Sequence, residues 1–253
     1  LPGDFSGFVK IEIDGETYYD GEFSDVIETD KLLAGNKTAK VTFYGDDNYN
    51  ETTLDVNFTV SRIPIDIDAE ITDVVYPDNP QAIIQLSEPG NGTIRITTPD
   101  GVYEFPIENG AGTYDLSGVS AGIKDAIVEF ISEDGFYENA STAVRFFVEQ
   151  GNTTLTVEVD DNEDIVVNLK EDVKGNVTII VNGEEHSVPI DNGKAVLTDV
   201  KFNEGNNSIV AIYENENYNS VYNKTTYEVP VSEKVDPSLA IDVEDNVITV
   251  DVG

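Results

Sequence analysis

The chain has 253 residues, 50 of them acidic against 14 basic for a net charge of −36 at neutral pH, and 39% are hydrophobic. Negative charge spread along the whole length argues against nucleic acid and anionic membrane as partners, and the absence of cysteine excludes disulfides, thiol nucleophiles and thiolate metal sites. Methionine is also absent, so Leu1 is not expected to be a translational start, and the chain is expected to be a processed or excerpted piece of a longer protein.

In chain order, residues 1–15, LPGDFSGFVKIEIDG, give a loop, a strand alternating Val9, Ile11 and Ile13, and an Asp14-Gly15 hairpin pair. A less regular stretch runs to Leu33. Gly35 then precedes the strand AKVTFY, the loop GDDNYN and a strand in which Leu54, Val56, Phe58 and Val60 alternate with Asp55, Asn57 and Thr59. Residues 63–71 are extended and open a second round. IIQLSEPGNGTIRITTPDG, from Ile83, carries a loop glycine at Gly92 and a turn expected at Asp100-Gly101, and Gly122 precedes DAIVEF, SEDGFYENA and TAVRFFV. The third round has TTLTVEV, then IVVNLKEDVKGNVTIIVNG from Ile165 with its Asn182-Gly183 turn, KAVLTDV, Gly205 before NSIVAIY, ENENYN and TTYEVPV. Pro230 in the last of these implies an edge strand, because proline cannot donate to a neighbour. From Val235 a fourth round begins, with Leu239, Ile241 and Val243, a turn at Asp245-Asn246, then Ile248, Val250 and Val252.

The ends of the sequence read onto each other. VITVDVG followed by LPGDFSGFVKIEIDG reproduces the pattern that starts at Ile165, so that Val250 falls on Ile165 and Leu1 on Leu169 without a gap. Leu1, Leu86 and Leu169 stand 85 and 83 residues apart, and closing the chain onto itself puts the next such leucine 85 further on. The residues are expected to be about three repeats of a longer array, cut within a repeat. Residues 1–61 are expected to be a repeat lacking its first two strands, 62–151 and 152–234 whole repeats, and 235–253 the first two strands of the next. Seven or so short strands per repeat, with hardly a helix signal, predict an all-β chain of tandem immunoglobulin-like β-sandwiches in a linear array.

TFYGDDNYNETTLDVNFTV, residues 42–60, and its weaker copies at 129–148 and 211–229 resemble the closing strands of bacterial-type immunoglobulin-like repeats. Such repeats are abundant in the adhesin-like cell-surface proteins of methanogenic archaea. The seam string VGLPGDFSGFVKIEIDG is similar to the leucine-proline-x-aspartate-x-x-glycine loop of these repeats, although Ser87 and Lys170 replace the proline in the second and third. The resemblance covers essentially the whole chain and implies an extracellular, adhesin-like, archaeal cell-surface array. It implies no ligand site.

Chemistry is sparse. The single histidine, His186, follows a hairpin turn and reads as a solvent-facing cross-strand residue. No phosphate loop, nucleophile elbow or alternating-aspartate calcium loop appears, and no carboxylate pair stands out among so many, so no enzyme is expected. Asp160, Asp161, Glu163 and Asp164, Asp66 and Asp68, and Glu244 and Asp245 fall near domain entrances. Calcium can rigidify tandem sandwiches there, while turns in so acidic a chain are acidic anyway. Tyr49, Tyr137 and Tyr218 recur in one loop of each repeat, which favours packing over a sugar platform. The sequon Asn-x-Ser/Thr occurs at Asn36, Asn50, Asn57, Asn91, Asn139, Asn152, Asn176, Asn206 and Asn223, where chance gives roughly three. N-glycosylation is expected, first at Asn50, Asn91 and Asn139.

The sequence therefore predicts a structural segment of an extracellular stalk or filament. Its partners are neighbouring copies, head to tail, and it inserts into no membrane itself. A module binding a glycan or host protein is the competing reading. The first repeat without its opening strands forgoes on the order of ten kcal/mol of apolar burial, so the tail is expected to complete the head of the next segment. Leu239, Ile241, Val243, Ile248, Val250 and Val252 would meet Leu1, Phe5 and Val9 there. Either the segments are covalently continuous, which the gapless seam favours, or the strands are donated between chains.

Overall fold

The computed structural model describes residues 7–24, 26–232, 238–245 and 247–252, with side chains to 250. Leu1 and Phe5, and the side chain of Val252, lie outside the described residues. Every regular element described is a β-strand, as expected where β-branched and aromatic residues alternate with polar ones at period two. Two compact units form, Leu1–Glu149 and Gln150–Gly253.

The first unit opens with β1 (Phe8–Ile13), β2 (Glu16–Glu22), β3 (Gly35–Phe43) and β4 (Thr52–Val60), one antiparallel sheet in the order β2-β1-β3-β4. The strands β5 (Ile67–Ile71), β6 (Val74–Val75), β7 (Gln81–Leu86), β8 (Gly92–Thr98), β9 (Gly101–Ile107), β10 (Ala111–Asp115), β11 (Gly122–Ser132) and β12 (Ala140–Glu149) then make two sheets, β10-β7-β5 and β6-β12-β11-β8-β9. The opening strand changes sheets partway: β5 pairs with β7, and two residues later β6 runs parallel to β12. Ile84 and Leu86 from one sheet meet Ile94, Ile96, Val128, Phe130, Phe146 and Val148 from the other in a single buried core. Two sheets over one core, antiparallel except where β6 joins β12, with an opening strand shared between them, make this an immunoglobulin-like sandwich.

The second unit repeats the plan with β13 (Thr156–Val159), β14 (Ile165–Asn168), β15 (Asn176–Val181), β16 (Glu184–Pro189), β17 (Lys194–Leu197), β18 (Gly205–Asn215) and β19 (Tyr218–Val229), in sheets β13-β14-β17 and β16-β15-β18-β19. Ile165, Val167, Val177, Ile179, Ile209, Ala211 and Tyr213 are buried between them. A separate hairpin follows, β20 (Leu239–Glu244) and β21 (Val247–Val252).

Repeated residues do repeated work. Gly35, Gly122 and Gly205, the first residues of β3, β11 and β18, all have positive φ values, 130°, 119° and 86°. The loop glycine at Gly92 has a different cause, since a Cβ there would lie 2.1 Å from the Ile131 carbonyl oxygen. Asp14 and Asn182 turn their hairpins at φ 53° and 50°, and each side chain also accepts the backbone N–H of the adjoining strand, Thr38 at 3.0 Å and Ser208 at 2.9 Å. The second repeat departs from this. Thr98 pairs with Gly101, so the turn residues are Pro99 and Asp100 rather than Asp100-Gly101, because proline's fixed negative φ suits the first central position of an ordinary turn. The Thr98 hydroxyl accepts the N–H groups of Asp100 and Gly101 instead.

The last strand of the third repeat is the edge strand expected, but it stops at Val229, one residue before Pro230. Within their unit, repeat two fixes the chain that enters it, and repeat one is bonded to the same loop. Arg62 and Ile63 bond to the 136–138 loop through Arg62 Nη1 to Tyr137 O (3.1 Å), Ile63 N to Phe136 O (2.8 Å) and Glu138 N to Ile63 O (2.9 Å). Lys31 separately donates to the Tyr137 hydroxyl at 3.1 Å, and Ala34 N bonds to Gly135 O at 3.1 Å.

Candidate functional site: an open sheet and an uncovered hairpin

On one face of the β2-β1-β3-β4 sheet, Val9, Ile11 and Ile13 lie opposite Phe43, Val41 and Ala39, and Val41 and Ala39 lie opposite Leu54 and Val56. Counted from the loop glycine, Val9 and Ile11 fall on Ile94 and Ile96 and on Val177 and Ile179. Counted from the glycine before the long strand, Ala39, Val41 and Phe43 fall on Ala126, Val128 and Phe130. All those counterparts are buried, because a second sheet covers them. In the first repeat Ile11, Ala39 and Val41 are only half-buried, and Leu54 and Val56 are 62% and 42% exposed. Val9, Ile13 and Phe43 keep their shelter, the Phe43 ring lying against Gly7. Asn57 therefore faces water as expected, but its neighbours Val56 and Phe58 are not buried.

The β20–β21 hairpin has the complementary character. Ile241 pairs with Val250 and Val243 with Ile248, while Asp242 pairs with Thr249 and Glu244 with Val247. Paired residues point to one side, so one face is aliphatic throughout and the other largely polar. Ile241, Val243, Ile248 and Val250 are all more than half exposed, Ile241 at 68%. Ala82 lies four residues before Leu86, and Ile165 four before Leu169; Val250 stands four before Leu1 when the ends are read together. Ala82 and Ile165 are buried where their sandwiches close. The hairpin thus matches in sequence, and in the spacing of Val250 from Leu1, the two strands that the first repeat does not have over its sheet among the described residues, although Val250 pairs with Ile241, nine residues back, where Ile165 pairs with Val159, six back.

Eight of the nine sequon asparagines are exposed: Asn36, Asn50, Asn57, Asn91, Asn139, Asn152, Asn176 and Asn206. Asn223 is half-buried, and its amide donates to the Leu155 carbonyl at 3.0 Å. Asn176 donates to Ser187 Oγ at 3.1 Å. Asn36 and Asn57 face each other's threonines across β3 and β4, Thr59 donating to Asn36 Oδ1 at 2.9 Å and Thr38 to Asn57 Oδ1 at 2.8 Å. Asn91 is held by Asp134, whose Oδ2 accepts the Asn91 N–H at 3.1 Å. Burial pushes the Asp134 carboxyl up, but the N–H groups of Phe136 and Asn91 and the Ser132 hydroxyl carry it below the usual value.

Among the described residues no three acidic or histidine side chains converge as metal ligands. In the acidic run after β13, Asp160 Oδ1 accepts the N–H groups of Asn162 and Asp164, and Glu163 accepts the Tyr227 hydroxyl. His186 is half-buried opposite Ile179 rather than solvent-facing, because it lies on the core side of β16. Tyr137 and Tyr218 are buried, with Tyr218 donating to Asp172 at 2.6 Å, which is a packing arrangement. Asn207 was not singled out from the sequence. It is fully buried, accepting from Asn203 N and Asn182 Nδ2 and donating to the carbonyls of Asn203, Gly205 and Tyr227.

Sheet order and core define a tandem immunoglobulin-like β-sandwich chain with one open sheet and one uncovered hairpin. No protein-family model matches it, and no curated protein does. Solved structures are similar at low identity. The fibronectin(III)-like modules of CbhA from Clostridium thermocellum are 15% identical over 65% of this chain and 94% of theirs, with a TM-score of 0.27. A 1.5-MDa bacterial ice-binding adhesin is 16% identical over 91% and 87%, at 0.30. A Ca2+-stabilized adhesin with which an Antarctic bacterium binds ice is 17% identical over 95% and 69%, at 0.25. No described helix is long and apolar enough to cross a membrane.

Proposed function

We propose that this chain is a non-catalytic structural segment of an extracellular, adhesin-like stalk or filament, in which segments follow one another head to tail. The observation that carries the reading is the match between the exposed aliphatic face of the β20–β21 hairpin and the open apolar face of the β2-β1-β3-β4 sheet. An array built this way closes one further sandwich at every seam. The gapless reading of Val250 through Leu1 favours a covalently continuous join over strands donated between chains. The charge of −36 keeps neighbouring stalks apart and soluble, and glycans at the exposed sequons would add a hydrated coat.

Single-molecule stretching of concatenated segments tests the load-bearing role. With about 85 residues released at ~3.4 Å each, less roughly 40 Å of folded length, evenly spaced force peaks about 25 nm apart are expected. Smooth extension would remove the mechanical basis of the reading. Saturable binding to glycan arrays or host cells by the purified segment would replace it with recognition. The mass of the native material under denaturing conditions separates a continuous array from donated strands.

A further inference from the structure

In both complete sandwiches one edge strand has a single partner: β10 pairs only with β7, and β17 only with β14. An edge strand of this kind exists only while its partner satisfies its N–H and C=O groups. In the first repeat the corresponding residues, 24–33, contain no described strand. Eight residues before Gly35 is Ile27, and eight before Gly122 and Gly205 are Tyr114 and Leu197. Tyr114 pairs with Ala82 and Leu197 with Ile165, the two residues whose counterpart is Val250.

The stretch is suited to become a strand. Val26, Ile27 and Thr29 are β-branched, and Val26 is 74% exposed. Both flanks are already fixed, by Phe23 N on Gly7 O at 2.8 Å and Ala34 N on Gly135 O at 3.1 Å, so ordering what lies between costs less than ordering a loose loop.

We propose that residues 26–29 are a strand completed only on assembly. The β21 strand of a second copy, placed before residue 1, pairs along them with its Val250 opposite Ile27, and its β20–β21 aliphatic face covers Val41, Leu54 and Val56. The inference rests on the head-to-tail reading above and adds to it a segment that folds on docking. The hairpin carries Asp242, Glu244, Asp245 and Asp251 and no cation, and the first repeat is also net acidic. Apolar burial therefore drives docking against like-charge repulsion, and salt strengthens it.

The test is a permuted full-length chain in which residues 238–253 precede Leu1, compared with the chain as it stands by amide hydrogen exchange and thermal unfolding. The expected result is slowing at residues 26–29 by at least ~100-fold, with a higher unfolding temperature for the first repeat. Val250→Asp in the permuted chain should reverse both. A synthetic peptide of residues 238–253, added to the unpermuted chain, should protect the same amides saturably, and more strongly in salt. A stabilised first repeat whose residues 26–29 exchange as before would overturn the assembly-dependent strand and leave the head-to-tail reading standing. If neither the permuted chain nor the peptide stabilises the first repeat, both fall.

Discussion

Ile11 and Ile179 occupy the same position in their repeats, four residues after the loop glycine, yet truncating them should cost very different amounts. Ile179 is fully buried between two sheets, opposite Ala211 in β18. Ile179→Ala removes three carbons, about 2.4 kcal/mol of transfer free energy at ~0.8 kcal/mol per carbon, and the cavity left behind raises the loss to ~3–4 kcal/mol. Ile11 faces Val41 on a sheet that no second sheet covers among the described residues, and it is only half-buried. There is little cavity to create, and much of its surface already touches water, so Ile11→Ala should cost about 1 kcal/mol. Guanidinium titration read by hydrogen exchange on peptides from each repeat separates the two losses within one chain. In the permuted chain described above, Ile11→Ala should rise toward the Ile179 value. Equal losses in the unpermuted chain would refute the open-sheet reasoning, since they would mean Ile11 already has a full core around it.

Asn207→Ala should destabilise the third repeat by roughly 2–4 kcal/mol, because it leaves Asn203 N, Asn182 Nδ2 and several carbonyls without their buried partner; urea unfolding of the variant checks this. Intact-mass and peptide analysis of material from the native host should find sugar at several of the exposed sequons, with Asn50, Asn91 and Asn139 first, and none at Asn223, whose amide is bonded to Leu155 O. Unmodified asparagine at all nine would remove the glycan prediction. Acid should destabilise the fold through Asp14, Asp100 and Asp134, all held below the ordinary carboxylate value. For Asp14 the cause is the Thr38 N–H and then Lys37; for Asp100, burial opposes Ser120 and Lys124, which win. The unfolded chain takes up these protons first, so their contribution is intact above about pH 4 and is lost as pH falls through the lower folded values. Melting curves from neutral pH downward test this, and an Asp100→Asn variant with unchanged acid sensitivity would remove Asp100 from the account. At neutral pH, raising salt to about 0.5 M should raise the melting temperature by screening the net charge.

The strands were legible because their apolar residues alternate and because three copies reinforce one another: Gly35, Gly122 and Gly205 mark the same turn into the same long strand. What escaped depends on context the residues do not carry. Asp100-Gly101 looks like a hairpin pair, but Pro99 before it moves the turn back by one. Asn207 sits in a run of asparagines within a sequon and reads as surface, although its side chain fills a buried polar socket. His186 has polar neighbours in sequence, and only the pairing with Ile179 turns it toward the core. The stretch around Ile27 was the hardest to read. Its propensity suits a strand, but whether an edge strand forms is decided by a partner that is distant in sequence.

The link between the first two repeats has a mechanical consequence. A single peptide joining two bodies is a swivel, free to bend and to twist. Here there are two pins, the chain itself at Arg62 and Ile63 and the separate attachment of Lys31 and Ala34, and both seat on the same loop around Tyr137. Two pins on one plate leave only the axis through them as a hinge, so rotation out of that direction must break a bond at Tyr137 or Gly135. The loop that carries them is closed at its base by Ser132 N on Asn139 Oδ1 and braced within by Asp134. The plate is therefore stiff, and flexure at this joint is directional.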